Sequence, residues 1–392
     1  MTRPIRIGIV MTHGYSYFRD ILRGIRRYAE AQPRWIFTTV AAEPRSLKPL
    51  VEFKPDGLIA AVESAALRKS VAALRRPVVN IAAVLRQSLP FPRVGVDNVE
   101  VGRLAAQHFL ERGLRHFAFV GNPQWLYSTA REAAFCATLR QSNFSVACYH
   151  DNVEHSFDPR GQQRPLDRRV HRWLLALPKP IGIFTPNDLW GVRVTEVCRQ
   201  KGLRVPEDVA VLGVDDDDLY CELARPPLSS VIVPAERIGY EAASLLDRML
   251  SGQKPPAEPI LLSPPGVVTR RSTEVLVIDD PHVTAAVRFI REHAHQRVQV
   301  TDVFYQVPVG RRWLERAFRK ALGRGVWEEI RRVHIERAKR LLTETQLSIE
   351  AVAAQSGFSD FRHLAVVFRK ELGLSPTAYR RRMGGAAHGR GV

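Results

Sequence analysis

Cysteine is scarce in this chain, and the few cysteines do not cluster. The four present in 392 residues, Cys136, Cys148, Cys198 and Cys221, form no CxxC pair. Neither a zinc finger nor a disulfide framework is therefore expected, and the thiols are expected to be reduced and buried. Long apolar runs are also missing, with no stretch near the ~20 residues of a membrane span. The chain reaches the apolar IRIGIV at Ile5, without the basic region and long apolar stretch of a secretory signal. A cytoplasmic location with no membrane partner is expected. His and Cys do not gather at metal-ligand spacing, and there is no nucleophile elbow or phosphate loop. No catalytic residue, metal or cofactor is expected, so an enzyme reading would rest on the carboxylates Asp215–Asp218 alone.

Positive charge, by contrast, is abundant and uneven. The formal net charge is +18. Residues 281–392 hold 21 Lys+Arg against 10 Asp+Glu, a surplus of +11, and the preceding 280 residues hold 37 against 30, a surplus of +7. The denser positive region suits a polyanionic partner. It also contains a repeat: LERAFRKALG (Leu314–Gly323) returns as LAVVFRKELG (Leu364–Gly373), 50 residues later. Two equivalent basic helices imply two equivalent contacts, and duplex DNA offers a regular repeat of negative charge.

The first 265 residues alternate short apolar runs with amphipathic ones. Strands are expected at Ile5–Val10, Ile36–Val40, Gly57–Ala61, Val78–Ile81, His116–Val120, Ile181–Phe184 and Val209–Val214. Helices are expected at Phe18–Gln32, Ala65–Leu74, Val99–Arg112, Ala130–Gln141, Leu189–Lys201 and Ala235–Ser251. This alternation predicts an α/β fold with a mostly parallel sheet covered on both faces. Ser142–Pro180 reads as polar and irregular, with one amphipathic helix near Leu166–Leu177. Thr269–Asp280 reads as an extended connection, and everything from Pro281 as helical up to a Gly-rich tail.

In the second copy Ser348 is the expected N-cap of a short helix, Ser356-Gly357-Phe358 the turn, and Ser359 the cap of the next helix. Leu364, Val367, Phe368 and Leu372 form its inner stripe, and Gly373 fits the left-handed position past its end. This is a helix-turn-helix, whose second helix enters the major groove. Its outer face offers Phe361, Arg362, His363 and Arg369. The first copy has Thr301 as expected cap and Val307-Pro308-Val309 at the turn. There Arg311, Arg312, Glu315, Arg316 and Arg319 face outward, with Trp313, Leu314, Ala317 and Phe318 nearer the core. Arg311, Arg312 and Arg316 are candidates for guanine readout, Arg319 and Arg369 for phosphate. A helix near Val326–Thr343, about 27 Å long, joins two reading heads that would address grooves ~34 Å apart.

With GFSDFRHLAVVFRKELGLSPTAYR (Gly357–Arg380) and RRVHIERAKRLL (Arg331–Leu342), this region resembles the AraC/XylS family of transcription regulators. It departs from that family at Pro308, where a glycine is usual; proline fixes φ near −65°, so the first turn must be built differently. The α/β region resembles the LacI/GalR sensor domain, of type I periplasmic-binding-protein fold, through VGVDNVEVGRLAAQHFLERG, FAFVGNP, TPNDLWGVRVTEVCRQKG, VPEDVAVLGVDDDD and PPLSSVIVPAERIGYEAASLLDRML. The helix-turn-helix that LacI relatives carry at the front is absent, and the DNA reader stands at the back.

The resemblances imply a two-lobed sugar sensor at 1–270, with one lobe about 5–104 plus 235–262 and the other about 105–234. A linker at 271–280, an all-α double helix-turn-helix domain at 281–383 and a disordered tail at 384–392 follow. The function implied is a sugar-responsive, DNA-binding transcription regulator, an activator of pentose catabolic genes, working as a homodimer on operator or promoter DNA, with RNA polymerase as a further partner. D-xylose is the first candidate effector. Arg131, Asp188 and Asp215 match the sugar-hydroxyl ligands of the sensor family; Tyr17, Phe18, Arg19 and Glu63 stand at strand ends beside them, and Trp125 and Trp190 are candidate stacking rings. Asp188 could instead cap its helix, Trp125 could be core, Asp97-Asn98 reads as a cap or hinge, and Asp216–Asp218 read as solvated turn residues. The rival function is an effector-independent DNA-binding regulator whose α/β region serves dimerisation.

Overall fold

A computed structural model describes residues 3–12, 14–87, 89–151, 168–275 and 280–383. The chain divides into two compact units, Met1–Val275 and Leu276–Val392.

The first unit has two lobes. In one, a parallel sheet runs Trp35–Val40, Ile5–Val10, Gly57–Ala60, Val78–Asn80, and the paired strands Val94–Val96 and Ile260–Leu262 continue beside it. In the other, the order is Val267–Val268, Ser229–Ile232, Val209–Asp215, Ile181–Phe184, His116–Gly121, Val146–His150, antiparallel only at Val267–Val268. The inner strands are buried along their length because helices cover both faces, hence their unbroken apolar runs. The strand Val146–His150 lies at a sheet edge and is only half buried; it falls within the Ser142–Pro180 stretch expected to be irregular.

Several boundaries differ from expectation. The helix Asn98–Leu110 packs on Leu126–Gln141 and on the second sheet, so the lobe boundary falls before Asn98 rather than at 104. The expected linker at 271–280 begins too early. Ser272 and Thr273 are fully buried, with the Ser272 hydroxyl donating to the Val211 carbonyl at 2.6 Å and accepting from the Ser229 amide at 2.8 Å. Residues 276–279 and the tail at 384–392 lie outside the described residues. The expected helix near Leu166–Leu177 is Arg168–Ala176, its first two residues also falling outside. Cys198 and Cys221 are buried, but Cys136 is half buried and Cys148 exposed on the edge strand, against the expectation of four buried thiols.

The second unit holds seven helices among the described residues: Pro281–Glu292, Val300–Tyr305, Arg311–Leu322, Val326–Glu344, Ile349–Gln355, Phe361–Leu372 and Pro376–Met383. They enclose two cores. One gathers Val283, Ile290, Val303, Leu314, Phe318 and Ile330; the other gathers Ile335, Leu342, Val352, Leu364, Phe368 and Tyr379. The helix Val326–Glu344 contributes to both. Its 19 residues span about 28 Å at the usual rise.

The two turns solve the same problem differently. Gly357 has φ +78°, and a Cβ there would lie 2.5 Å from the Gln296 carbonyl oxygen and 2.5 Å from the His334 ring, so only glycine fits. Fifty residues earlier stands Val307, a β-branched residue that tolerates no such φ. Here Pro308 occupies the centre of a three-residue turn closed by the Val309 amide on the Val307 carbonyl at 2.8 Å. An inverse γ-turn wants a central φ near that of proline, which accounts for Pro308. The caps also differ from expectation: Gln299 with Asp302, rather than Thr301, opens the first short helix, and Asp360, rather than Ser359, caps Phe361–Leu372.

Candidate ligand cleft and nucleic-acid interface

The cleft between the lobes of the first unit is lined from strand ends. Val209–Asp215 delivers Asp215 with φ +110°, a region costly for any residue with a side chain. Arg131, on the helix Leu126–Gln141, is buried; its Nε donates to Asn98 Oδ1 at 2.9 Å, one Nη donates to the Pro186 carbonyl, and its guanidinium lies 5.1 Å from the Tyr127 ring centroid. Glu63 accepts from the Thr12 hydroxyl at 3.1 Å. The Tyr17 hydroxyl donates to the Ile81 carbonyl at 3.0 Å and feels the charges of Asp215, Arg131, Glu63 and Arg93. Tyr127 feels Arg131, Asp215 and Glu63. The structure thus brings Tyr17, Glu63, Arg131 and Asp215 together, and adds Tyr127 and Arg93, which sequence reasoning missed.

Burial sets the electrostatics here. It pushes the Asp215 carboxyl up to about 7, against the pull of Arg131 and aided by Asp217. It pushes Glu63 up to about 7 as well, opposed by the Thr12 hydrogen bond. Arg131 and Arg93 are held below the ordinary guanidinium value by the same withdrawal from water. Carboxyls poised near neutrality can both accept and donate hydrogen bonds.

Asp188 sits one layer deeper. It is buried, accepting from the Ser230 hydroxyl at 2.6 Å and the Asp217 amide at 2.8 Å. Burial raises its pKa well above the ordinary value, and Asp215 raises it further. The helix Asp188–Gln200 is capped not by Asp188 but by Asn187. Asp188 therefore holds the Asp215–Asp217 loop in place. A Cβ at Gly213 would stand 2.1 Å from Asp188 Oδ1, so glycine there makes room for the carboxyl.

Asp216 and Asp217 are not solvated turn residues. Asp216 pairs with Arg270 at 2.8 Å, and Asp217 is buried, capping Asp218–Leu223 and accepting from the Ser16 amide of the other lobe at 2.9 Å. The lobes also meet where the Leu126 amide donates to the Val84 carbonyl and the Tyr127 amide to the Ala83 carbonyl, both at 2.8 Å. Arg19 lies at the rim, 4.0 Å from Asp218 and half exposed. Phe18 is buried, edge-on to Tyr17 at 5.1 Å. Trp190 is fully buried among Val194, Val209 and Leu228, which removes it as a stacking ring for a ligand. Trp125 is partly buried against that core and stacks on Tyr127 at 5.6 Å. Asp97 caps the helix Asn98–Leu110.

In the second unit the helices Arg311–Leu322 and Phe361–Leu372 follow the same pattern of exposure position by position over their first ten residues. Leu314 and Phe318, like Leu364 and Phe368, are wholly buried; both helices end on a left-handed glycine, Gly323 (φ +71°) and Gly373 (φ +67°). Arg311, Arg312, Arg316, Arg319, Phe361, Arg362, His363 and Arg369 are exposed, and Glu315 half exposed. Trp313, placed nearer the core by the sequence reading, is 37% exposed, beside His282. None of Arg311, Arg312, Arg316, Arg319, Arg362 and Arg369 forms an ion pair among the described residues. Two of the unit's acids pair with arginines outside these helices: Glu329 with Arg324 and Arg332, and Glu371 with Arg331. Unpaired guanidiniums in a row suit phosphate and base edges.

These features define a class: a periplasmic binding protein-like domain joined to a helix-turn-helix domain. Residues 106–273 match the family model of the first and residues 306–382 that of the second. Over nearly its whole length the chain is similar to the xylose operon regulatory proteins. It is 29% identical to that of Escherichia coli (strain K12) over 393 residues, 97% of each chain. It is also 29% identical to that of Haemophilus influenzae over 385 residues, 96% of this chain and 98% of the other. The solved structure of a xylose-binding transcription activator superposes with a TM-score of 0.62 at 28% identity, covering 97% of this chain and 98% of that one. A LacI family regulator from Enterococcus faecium, solved with bound ribose, shares the fold of the sensor region alone (TM-score 0.56, 23% identity, 69% of this chain and all of the other). The relatives are transcription regulators rather than enzymes. Among the described residues no helix is long and apolar enough to cross a membrane.

Proposed function

We propose that this chain is a cytoplasmic, sugar-responsive transcription activator of xylose catabolic genes that binds D-xylose between the lobes of its α/β domain. The observation that carries this reading is the convergence of Asp215, Glu63, Arg131 and Tyr17 in the inter-lobe cleft, a donor and acceptor set for a small polyol. Asp215 and Glu63 take hydroxyl groups, Arg131 donates to a ring or hydroxyl oxygen, and the faces of Tyr127 or Trp125 cover C–H groups. Arg19 guards the rim, Phe18 backs Tyr17, and Asp188 positions Asp215.

Sugar favours the closed lobes by its differential affinity for them. Closure reorients the helical domains across a homodimer, so that four helices meet two half-sites of an operator, with RNA polymerase as the downstream partner. The test is a thermal-shift panel of free pentoses and hexoses. Xylose at 100 times its dissociation constant should stabilise the chain by ~2.7 kcal/mol. Asp215→Ala should abolish that shift while leaving sugar-free DNA affinity within a few-fold. No shift with any sugar would favour an effector-independent regulator.

A further inference from the structure

The two copies of the basic helix share a scaffold but not a full set of exposed side chains. At the 50-residue offset, Arg312 matches Arg362, Arg319 matches Arg369 and Lys320 matches Lys370. All six are exposed. The offset also pairs Arg311 with Phe361 and Arg316 with Val366. Residues three and four apart share a helix face, so Arg312, Arg316 and Arg319 form one stripe, and Arg362, Val366 and Arg369 form its counterpart. In the middle of that stripe one helix carries a guanidinium and the other an aliphatic group.

Val366 is 62% exposed and Phe361 42% exposed. The second core is already closed by Leu364, Phe368 and Tyr379, so neither is needed to complete it. Burial does not explain an exposed valine at the centre of a cationic stripe, nor an exposed phenylalanine at the head of the same helix. Arg362 lies 5.8 Å from the Phe361 ring centroid, and Arg369 follows Val366 by three residues. Val366 is thus flanked by cations on its own stripe, Arg362 four residues before it and Arg369 three after, and a partner that covers it must be anionic around an apolar point. Duplex DNA has that form in its major groove, where the thymine 5-methyl stands between phosphate rows.

We infer that the two helices read opposite base chemistry: Arg316 selects guanine through O6 and N7, and Val366 selects thymine through its 5-methyl group. The shared residues Arg312, Arg362, Arg319, Arg369, Lys320 and Lys370 meet what is the same at every turn of the duplex, its phosphates. Arg312, grouped by sequence with the base readers, falls in the shared set. Each bound half-site is therefore polar in composition, guanine-bearing under the first helix and thymine-bearing under the second. The inference rests on the reading of this domain as a DNA reader, and its test separates the two.

The full chain is used to select duplexes from a random library, and the enriched site is then resynthesised with uracil in place of each thymine. Removing one methyl from contact with an aliphatic side chain should cost roughly fourfold in affinity. That loss should occur at one subsite, about a helical turn from the guanine subsite, and vanish in Val366→Ala. Because Val366 is exposed, V366R should fold, and it should shift the second subsite toward guanine. Enrichment of a site that tolerates uracil throughout, or that V366R reads as the wild type does, overturns the inference and leaves the DNA reading standing. Failure to enrich any duplex overturns both.

Discussion

In the α/β domain the charged groups facing the cleft are withdrawn from water; in the helical domain they stand in it. Asp215, Glu63 and Arg131 all have their ionised forms disfavoured by burial, whereas the arginines of the two basic helices are exposed without acidic partners among the described residues. The difference follows from the partner each region suits. A neutral polyol offers hydrogen bonds and no charge, so its site must be dry for those bonds to count. A polyanion brings charge and counterions, and binding gains from releasing the counterions, which favours cations left in solvent.

The comparison can be broken most severely at Gly213. Gly213→Ala puts a methyl group 2.1 Å from Asp188 Oδ1, displacing the carboxyl that holds the Asp217 amide. The sugar-induced thermal shift should vanish altogether while sugar-free DNA affinity stays intact. A retained shift would mean that Asp188 does not support the cleft.

A middling effect is expected from Asp215→Asn as pH changes. Folded, Asp215 keeps its proton to about pH 7; unfolded, it loses it near the ordinary carboxyl value of 3.8. Between those values the folded state binds more protons, so Asp215's contribution to stability falls as pH rises and levels off above about 7. Asparagine has no such proton. The stability of D215N relative to wild type, followed by denaturant titration from pH 4 to 8, should therefore rise through that window by something on the order of 2–4 kcal/mol and then flatten. A constant difference would show that the cleft is wet.

The smallest effect belongs to the helical domain. Arg369→Ala should weaken DNA binding about equally on all sequences and reduce the slope of log affinity against log salt by about 1. Loss confined to one sequence would make Arg369 a base reader instead.

Much of this architecture was legible in the sequence. Unbroken apolar runs such as Ile181–Phe184 mark strands covered on both faces, and the doubled decapeptide with Gly323 and Gly373 marks two like helices. Asp215, Arg131, Glu63 and Tyr17 could be named because strand ends in such a fold converge. Tyr127 and Arg93 could not, because their place depends on how one lobe meets the other, as in the Tyr127 amide bond to Ala83. Asp217 was misread because four consecutive aspartates look hydrophilic, yet one of them is buried by capping a helix and bonding to Ser16. Trp190 was misread because an indole beside a strand end looks like a platform, whereas its helix turns it inward.

The helix Val326–Glu344 contributes its first half to one core and its second half to the other. A rod shared in this way makes the halves mechanically inseparable. Neither can loosen without withdrawing a wall from its neighbour, so the helical domain should melt in a single transition. Any strain applied at one groove would be felt at the next.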